Sequence, residues 1–138
     1  MMLRRLFSTS SKAVEAVIAK NAPAAIGPYS AAVKANGFVF VSGQLPIVPS
    51  TGSFVHPTDV AQQADQCLKN LGEILVAGGS SYSKVVKATV YLVDMEDFAA
   101  VNEVYAKYFG DVKPARACFA VKELPKKARV EIECIAVA

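Results

Sequence analysis

Two stretches near the C-terminus decide the fold: Ala-Arg-Ala-Cys-Phe-Ala-Val at residues 115–121 and Ala-Arg-Val-Glu-Ile-Glu-Cys-Ile-Ala-Val at residues 128–137. Both read as β-strands, in which successive side chains point to opposite faces of a sheet. One face is uniformly apolar and is expected to pack against helices; it carries Ala117, Phe119 and Val121 on the first strand and Val130, Ile132, Cys134 and Ala136 on the second. Arg116, Cys118 and Glu131 are then expected together on the side of the sheet that no helix covers.

These three side chains form the candidate site. A guanidinium binds a carboxylate through two parallel hydrogen bonds, so Arg116 is a candidate clamp for a small acid. Glu131, on a mostly apolar surface, is a candidate for a shifted pKa and for proton transfer. A salt bridge between Arg116 and Glu131 at a sheet edge is the alternative interpretation. Cys118 is a weaker candidate nucleophile, because the pattern places no histidine within its reach.

The rest of the chain predicts two more strands, two helices and one further strand. Asn36-Gly37 is a two-residue hairpin signal, Thr58 or Asp59 can cap the first helix, and Asp94 or Asp97 can cap the second. The predicted strands are Tyr29–Ala35, Phe38–Gln44, Val85–Val93, Ala115–Val121 and Ala128–Val137, and the predicted helices span 59–77 and about 97–109. The order ββαβαββ favours a two-layer α/β (α+β) sandwich, one sheet with two helices on one face.

The helix-free face of this sheet is expected to be partly apolar. Ile135 and Val137 lie on it, together with either Phe38 and Phe40 or Val39 and Val41, because the strand at 38–41 is apolar on both sides. Two helices cover only one face, so we expect another copy of the chain to cover the other.

Composition narrows the class of protein. The chain has 138 residues, enough for one domain. It has no apolar run of about 20 residues, so we expect no membrane span. Of its 15 basic residues, Arg4, Arg5 and Lys12 lie in the first dozen, which hold no acid; the remaining 12 bases balance the 12 acids. A neutral core gives no electrostatic footprint for nucleic acid.

The first dozen residues, Met-Met-Leu-Arg-Arg-Leu-Phe-Ser-Thr-Ser-Ser-Lys, combine arginine, leucine and hydroxyl residues. This composition is typical of a mitochondrial transit peptide, and a disordered basic tail is the alternative. We therefore expect a leader at residues 1–19, a domain at residues 20–138, and a location in the mitochondrial matrix.

Cysteine and histidine usage gives no sign of a metal site. Cys67, Cys118 and Cys134 are odd in number and show no CxxC spacing, which indicates neither a disulfide framework nor a zinc site. His56, the only histidine, precedes Pro57 in a Gly/Ser/Thr-rich stretch and is expected in a surface loop.

Five stretches carry a resemblance to a known family. From about Ala22 to Ala138 the chain resembles the RidA (reactive intermediate/imine deaminase A) family, and its leader makes it similar to mitochondrial eukaryotic members. The matching stretches are Ala-Ile-Gly-Pro-Tyr-Ser-Ala-Ala (25–32), Phe-Val-Phe-Val-Ser-Gly-Gln-Leu-Pro (38–46), Val-Asn-Glu-Val-Tyr-Ala-Lys-Tyr-Phe (101–109), Lys-Pro-Ala-Arg-Ala-Cys (113–118) and Val-Glu-Ile-Glu-Cys-Ile-Ala (130–136).

The resemblance implies a chorismate-mutase-like fold with one mixed sheet, and a homotrimer whose sites lie between subunits. It implies hydrolysis of 2-enamine and 2-imino acids, such as 2-aminoacrylate, to 2-keto acids and ammonia, with no cofactor and no metal. Such intermediates escape from pyridoxal-phosphate enzymes, which the activity would protect, in support of branched-chain amino-acid metabolism and mitochondrial maintenance. By position, Arg116 would clamp the substrate carboxylate, Glu131 would activate water, and Cys118 would offer backbone contacts. Tyr29, Ser42, Gly43, Asn102 and Tyr105 would line or support the pocket.

Two other classes of function stay open from the sequence. One is RNA cleavage or inhibition of translation, which is also associated with this family; the neutral core and the lack of a histidine pair argue against it. The other is a non-catalytic trimer that binds keto acids or similar metabolites.

Overall fold

The computed structural model describes residues 13–138, which form one six-stranded sheet and two α-helices. In chain order the elements are β1 (Glu15–Val17), β2 (Ala32–Ala35), β3 (Phe38–Gln44), α1 (Val60–Ala77), β4 (Val85–Leu92), α2 (Phe98–Ala106), β5 (Ala115–Ala120) and β6 (Val130–Val137). The strand order is β1-β2-β3-β6-β4-β5, with β4 and β5 parallel and the other pairs antiparallel. The predicted two-layer sandwich with one mixed sheet is confirmed.

Strand β1 was not predicted. It pairs with β2 at the edge of the sheet, and its Val17 is buried in the core, although this segment lies within the range assigned to the leader. The fold therefore extends N-terminal of the boundary expected at Ala19. The next strand begins at Ala32 rather than at Tyr29, and the second helix ends at Ala106, before the predicted end at residue 109.

Helix α1 forms as its sequence predicts. The Asp59 carboxylate caps it by accepting a hydrogen bond from the Gln62 backbone N–H at 3.1 Å. Beyond its end, Gly79 adopts a φ of +81°, which a residue with a side chain rarely adopts. One stripe of apolar residues on α1 is fully or nearly fully buried in the core; it comprises Val60, Ala64, Leu68, Leu71 and Leu75.

The faces of β5 are opposite to the prediction. In the ladder, Arg116 lies beside Ala88 and Cys118 beside Val90, and both β4 residues are buried beneath the helices. Arg116 and Cys118 therefore lie on the helix side of the sheet. Glu131 lies on the helix-free side, so the expectation that all three share one face is wrong.

The apolar face of β5 turns away from the helices. Phe119 is 46% exposed, and its ring meets Tyr91 edge-on with centroids 5.5 Å apart. Apolarity alone misassigned this face because β5 is an edge strand, and an edge strand does not need its more apolar side in the core of its own chain.

The helix-free face is partly apolar, as expected. Phe38 and Phe40 lie on it with Ile135 and Val137, since β3 and β6 pair in that register, and Phe40 and Val137 each remain 41% exposed. Within residues 13–138 no helix combines the length and the apolar character needed to cross a bilayer.

Candidate active site

Helix α2 presents a stripe of three side chains to Arg116. Phe98, Asn102 and Tyr105 are four and three residues apart, which places them on one helical face. The guanidinium carbon of Arg116 lies 4.7 Å from the centroid of the Tyr105 ring and 5.7 Å from that of Phe98. Arg116 Nη1 donates a hydrogen bond to Asn102 Oδ1 at 2.7 Å. We call these four residues the guanidinium half-site.

Within residues 13–138 no carboxylate balances the charge of Arg116. Arg129, by contrast, donates two hydrogen bonds to the Asp97 carboxylate, at 2.6 and 3.2 Å. Among the described residues Arg116 makes no ion pair, so the salt bridge with Glu131, the alternative interpretation of the sequence, is absent there. A cation held by two aromatic rings and a neutral amide remains able to bind an anion.

The ring of Tyr105 packs against the Arg116 guanidinium. Its side chain is buried, and its hydroxyl is the one buried side-chain polar atom in residues 13–138 without a hydrogen-bond partner. Burial raises the pKa of Tyr105 to about 12, an effect that the nearby Arg116 charge partly opposes. The phenol is therefore neutral and contributes its ring face rather than a charge.

Cys118 lies beside the guanidinium half-site without the features of a nucleophile. It is half-buried and packs against the core, and burial raises its thiol pKa, with Arg116 acting in the opposite direction. His56 is exposed in the loop before α1, as predicted. A protonated thiol with no neighbouring base is a poor nucleophile.

Glu131 rests on Gly43. A Cβ at position 43 would collide with the Glu131 carboxylate, so the missing side chain makes the space that this group occupies. Burial raises the pKa of Glu131, and the like charge of Glu133 raises it further. This half-buried carboxyl is therefore shifted toward the range that suits proton transfer near neutral pH.

Tyr29 and Ser42 lie near Gly43. Tyr29 is 50% exposed and lines a small pocket together with Gly43. The Ser42 hydroxyl donates a hydrogen bond to the Ser30 carbonyl at 2.7 Å, which ties the loop that carries Tyr29 to β3. We call Tyr29, Gly43 and Glu131 the carboxyl half-site; Ser42 holds it in place.

The two half-sites do not meet within one chain. Glu131 pairs with Tyr91, which pairs with Phe119, and Arg116 is three residues before Phe119 on β5. Two strand spacings and three residues along a strand separate the Cα atoms of Arg116 and Glu131 by roughly 14 Å, on opposite faces. A molecule of a few carbons cannot contact both side chains of one chain.

Sequence reasoning missed the part that Phe98 plays beside Arg116. The spacing of Phe98 to Asn102 and Tyr105, four and seven residues along the same helix, was the signal that could have linked the three. In residues 13–138, no cluster of three or more His, Cys, Asp and Glu side chains is arranged to hold a metal ion.

Comparison with known proteins adds a family. Residues 19–138 match the family model described as Endoribonuclease L-PSP. A protein of Arabidopsis thaliana named Reactive Intermediate Deaminase A, chloroplastic, is 54% identical over 94% of this chain and 68% of its own length. A Mus musculus protein named 2-iminobutanoate/2-iminopropanoate deaminase is 54% identical over 84% of this chain and 85% of its own.

A solved structure extends the likeness to the fold. The crystal structure of E. coli TdcF with bound serine superimposes with a TM-score of 0.85 at 42% identity. The match covers 90% of this chain and 98% of that one.

Proposed function

The chain belongs to the Endoribonuclease L-PSP family, the RidA family of the sequence analysis, and we propose that it hydrolyses 2-enamine and 2-imino acids to 2-keto acids and ammonia. The observation that carries the proposal is Arg116, a cation with free hydrogen-bond donors and no carboxylate partner in the described residues. The same activity is supported by relatives that are 51–54% identical to this chain and are named 2-iminobutanoate/2-iminopropanoate deaminase.

The substrate is an imino acid whose carboxylate binds Arg116 through two hydrogen bonds. An imine carbon is already electrophilic, so the remaining need is an oriented water molecule. Glu131 accepts a proton from that water as its oxygen attacks C2 of the protonated imine, which gives a neutral carbinolamine. Glu131 then passes that proton to the amine nitrogen. The C–N bond breaks and ammonia leaves as Glu131 takes the proton of the carbinolamine hydroxyl and the keto group forms. No cofactor takes part in these steps.

The complete site is built by two chains. The guanidinium half-site of one copy meets the carboxyl half-site of the next, in a closed homotrimer with three equivalent sites. Two observations support this arrangement: the half-sites lie about 14 Å apart on opposite faces of one chain, and the helix-free face leaves Phe40, Phe119 and Val137 exposed. Light scattering that gave a stable monomer at micromolar concentration would contradict it.

The ligand bound in a related structure agrees with this substrate class. TdcF was crystallised with serine, a small amino acid that carries the carboxylate and the C2 nitrogen expected of the substrate. The partners that we propose for this protein are small 2-imino acids and further copies of the chain.

We propose that the acid-free leader directs the protein to the mitochondrial matrix. The first dozen residues lie outside the described part of the chain, and the first described strand, β1, begins at Glu15. A chloroplastic name for one relative supports an organellar location in general. Deletion of residues 2–12 should leave an active enzyme in the cytosol; import of the deleted form would contradict the proposal.

A coupled assay tests the activity. A pyridoxal-phosphate dehydratase acting on serine generates 2-aminoacrylate, and addition of this protein should speed its decay and the appearance of pyruvate and ammonia. The Glu131→Gln variant is the matched control, because it keeps the shape of the side chain and loses its proton transfer. Equal decay with both proteins would refute the proposal, and cleavage of RNA that survives loss of Arg116 would favour the ribonuclease alternative.

A further inference from the structure

Asn102 is the single polar side chain of the described residues that holds the Arg116 guanidinium. Its Oδ1 accepts from Nη1 at 2.7 Å, and no other hydrogen bond from this guanidinium is present in residues 13–138. A guanidinium carries five N–H donors. Asn102 therefore occupies one donor at the Nη1 end, while the Nε–Nη2 edge keeps both donors that a carboxylate would use.

The aromatic rings restrict the remaining freedom of Arg116. The ring centroids of Tyr105 and Phe98 lie 4.7 and 5.7 Å from the guanidinium carbon. Ring contacts do not stop the guanidinium from rotating within its own plane, so a hydrogen bond is needed to fix that rotation. Asn102 supplies that bond from the same face of α2. The two rings and the amide together determine which edge of the guanidinium points away from the helix.

We propose that Asn102 is a positioning residue that orients Arg116 with a neutral acceptor, so that the full positive charge remains available to the substrate carboxylate. The inference rests on the proposed function and extends it to a residue that need not touch the substrate. An aspartate at this position would have nearly the same shape and would form an ion pair with Arg116. The incoming carboxylate would then meet a neutralised pair instead of a cation.

The fold contains both kinds of arginine, one held by a carboxylate and one held by an amide. Arg129 is paired with the Asp97 carboxylate, which also holds it in place at the start of α2. Arg116 receives the same kind of support from Asn102, five residues further along the chain, but the supporting group is an amide. Asn102 thus orients the Arg116 guanidinium without neutralising its charge.

The test compares Asn102→Asp with Asn102→Ala. Calorimetry measures the affinity for 2-oxobutanoate, a stable keto acid that needs no turnover, and the coupled assay gives KM and kcat. Asn102→Asp should weaken 2-oxobutanoate binding and raise KM on the order of 100-fold, from cancelling one unit charge near the carboxylate in a partly buried site. Its kcat should stay within about threefold of the wild type, since a bound substrate still meets an oriented Arg116.

Asn102→Ala should weaken binding by about tenfold, the effect of losing one hydrogen bond to a charged group, and should lower kcat as well because Arg116 is no longer oriented. Asn36→Asp is the matched control for charge: it lies in the exposed hairpin turn, where Asp-Gly also suits the backbone, and should behave as the wild type. Thermal melts verify folding, and Asn102→Glu carries the same charge if Asn102→Asp fails to fold.

The outcomes separate this inference from the activity. If the wild type deaminates but Asn102→Asp binds 2-oxobutanoate as well as the wild type or as Asn102→Ala, the inference is overturned and the activity stands. If the wild type has no deaminase activity, but affinity for 2-oxobutanoate falls from the wild type to Asn102→Ala and further to Asn102→Asp, the inference stands and the proposed activity is refuted. A wild type that binds no 2-oxobutanoate overturns the inference.

Discussion

Gly43→Ala should abolish most activity and leave the fold intact. The added Cβ would collide with the Glu131 carboxylate and meet its Cδ at 2.7 Å. An ordinary carbon–carbon contact is about 3.7 Å, so the carboxyl group must retreat by about 1 Å. A displacement of that size at a reacting group costs on the order of 100-fold in rate.

The stability of the Gly43→Ala variant should hardly change. The contacts are with the outer atoms of a flexible side chain, which can rotate away. Replacing glycine by alanine within a strand also gains about 0.5–1 kcal/mol of conformational free energy, which offsets the crowding. Thermal unfolding and kcat/KM in the coupled assay, measured on the same preparation, separate the two effects.

A double-mutant cycle tests the cause of this loss. In a Glu131→Ala background no carboxylate remains to be displaced, so adding Gly43→Ala should lower the residual rate by less than about threefold. The reasoning is refuted if Gly43→Ala keeps near-normal kcat/KM in the wild-type background. It is equally refuted if the loss is the same in both backgrounds.

Four further substitutions test single groups. Arg116→Lys should lower kcat/KM on the order of 100-fold, because an ammonium keeps the charge and loses the planar fork. Cys118→Ser should stay substantially active in the same assay, since burial raises the thiol pKa and keeps the thiol protonated. Glu131→Gln should raise the free energy of unfolding at pH 7 and not at pH 4. Burial and the charge of Glu133 raise the pKa of Glu131 in the folded state. Ionisation of Glu131 therefore lowers the stability of the folded protein as pH rises above the unfolded pKa of about 4.3, and glutamine removes that loss. Tyr105→Phe should raise the free energy of unfolding in urea by about 1 kcal/mol, because it removes a buried hydroxyl that has no partner.

Each of these has a contrary result. Near-normal turnover in Arg116→Lys would remove the carboxylate clamp, and complete loss in folded Cys118→Ser would restore the thiol as nucleophile. A stabilisation by Glu131→Gln that is equal at pH 4 and pH 7 would mean that its carboxyl pKa is not raised by folding. A destabilised Tyr105→Phe would mean that its hydroxyl has a partner in the assembled protein.

The fold was largely predictable because local signals were strong. Alternation defined β5 and β6, the Asn36-Gly37 turn signal defined the hairpin of β2 and β3, and the Asp59 cap marked the start of α1. Strand β1 was missed because Glu-Ala-Val is too short to show alternation and follows a leader-like composition. Strand β1 forms because it pairs with the edge of β2 and because its Val17 is buried in the core.

The sequence supplied candidate residues for a site but not their geometry. Alternation placed Arg116 and Cys118 on one face of a strand, but it cannot tell which face meets the helices. The prediction relied on the more apolar face being internal. Phe119 lies outside nevertheless, and Arg116 is accommodated under α2 by aromatic rings and an amide, a tertiary arrangement that no local pattern encodes.

Subunit mixing tests the central claim most directly, namely that Arg116 of one chain and Glu131 of another form one site. The variants Arg116→Ala and Glu131→Gln are each expected to be nearly inactive alone. Unfolded together in equal amounts and reassembled, they should place an intact Arg116 opposite an intact Glu131 in about a quarter of the sites, and recover about a quarter of the wild-type activity. A mixture no more active than its separate components, in trimers shown to contain both variants, would contradict the claim.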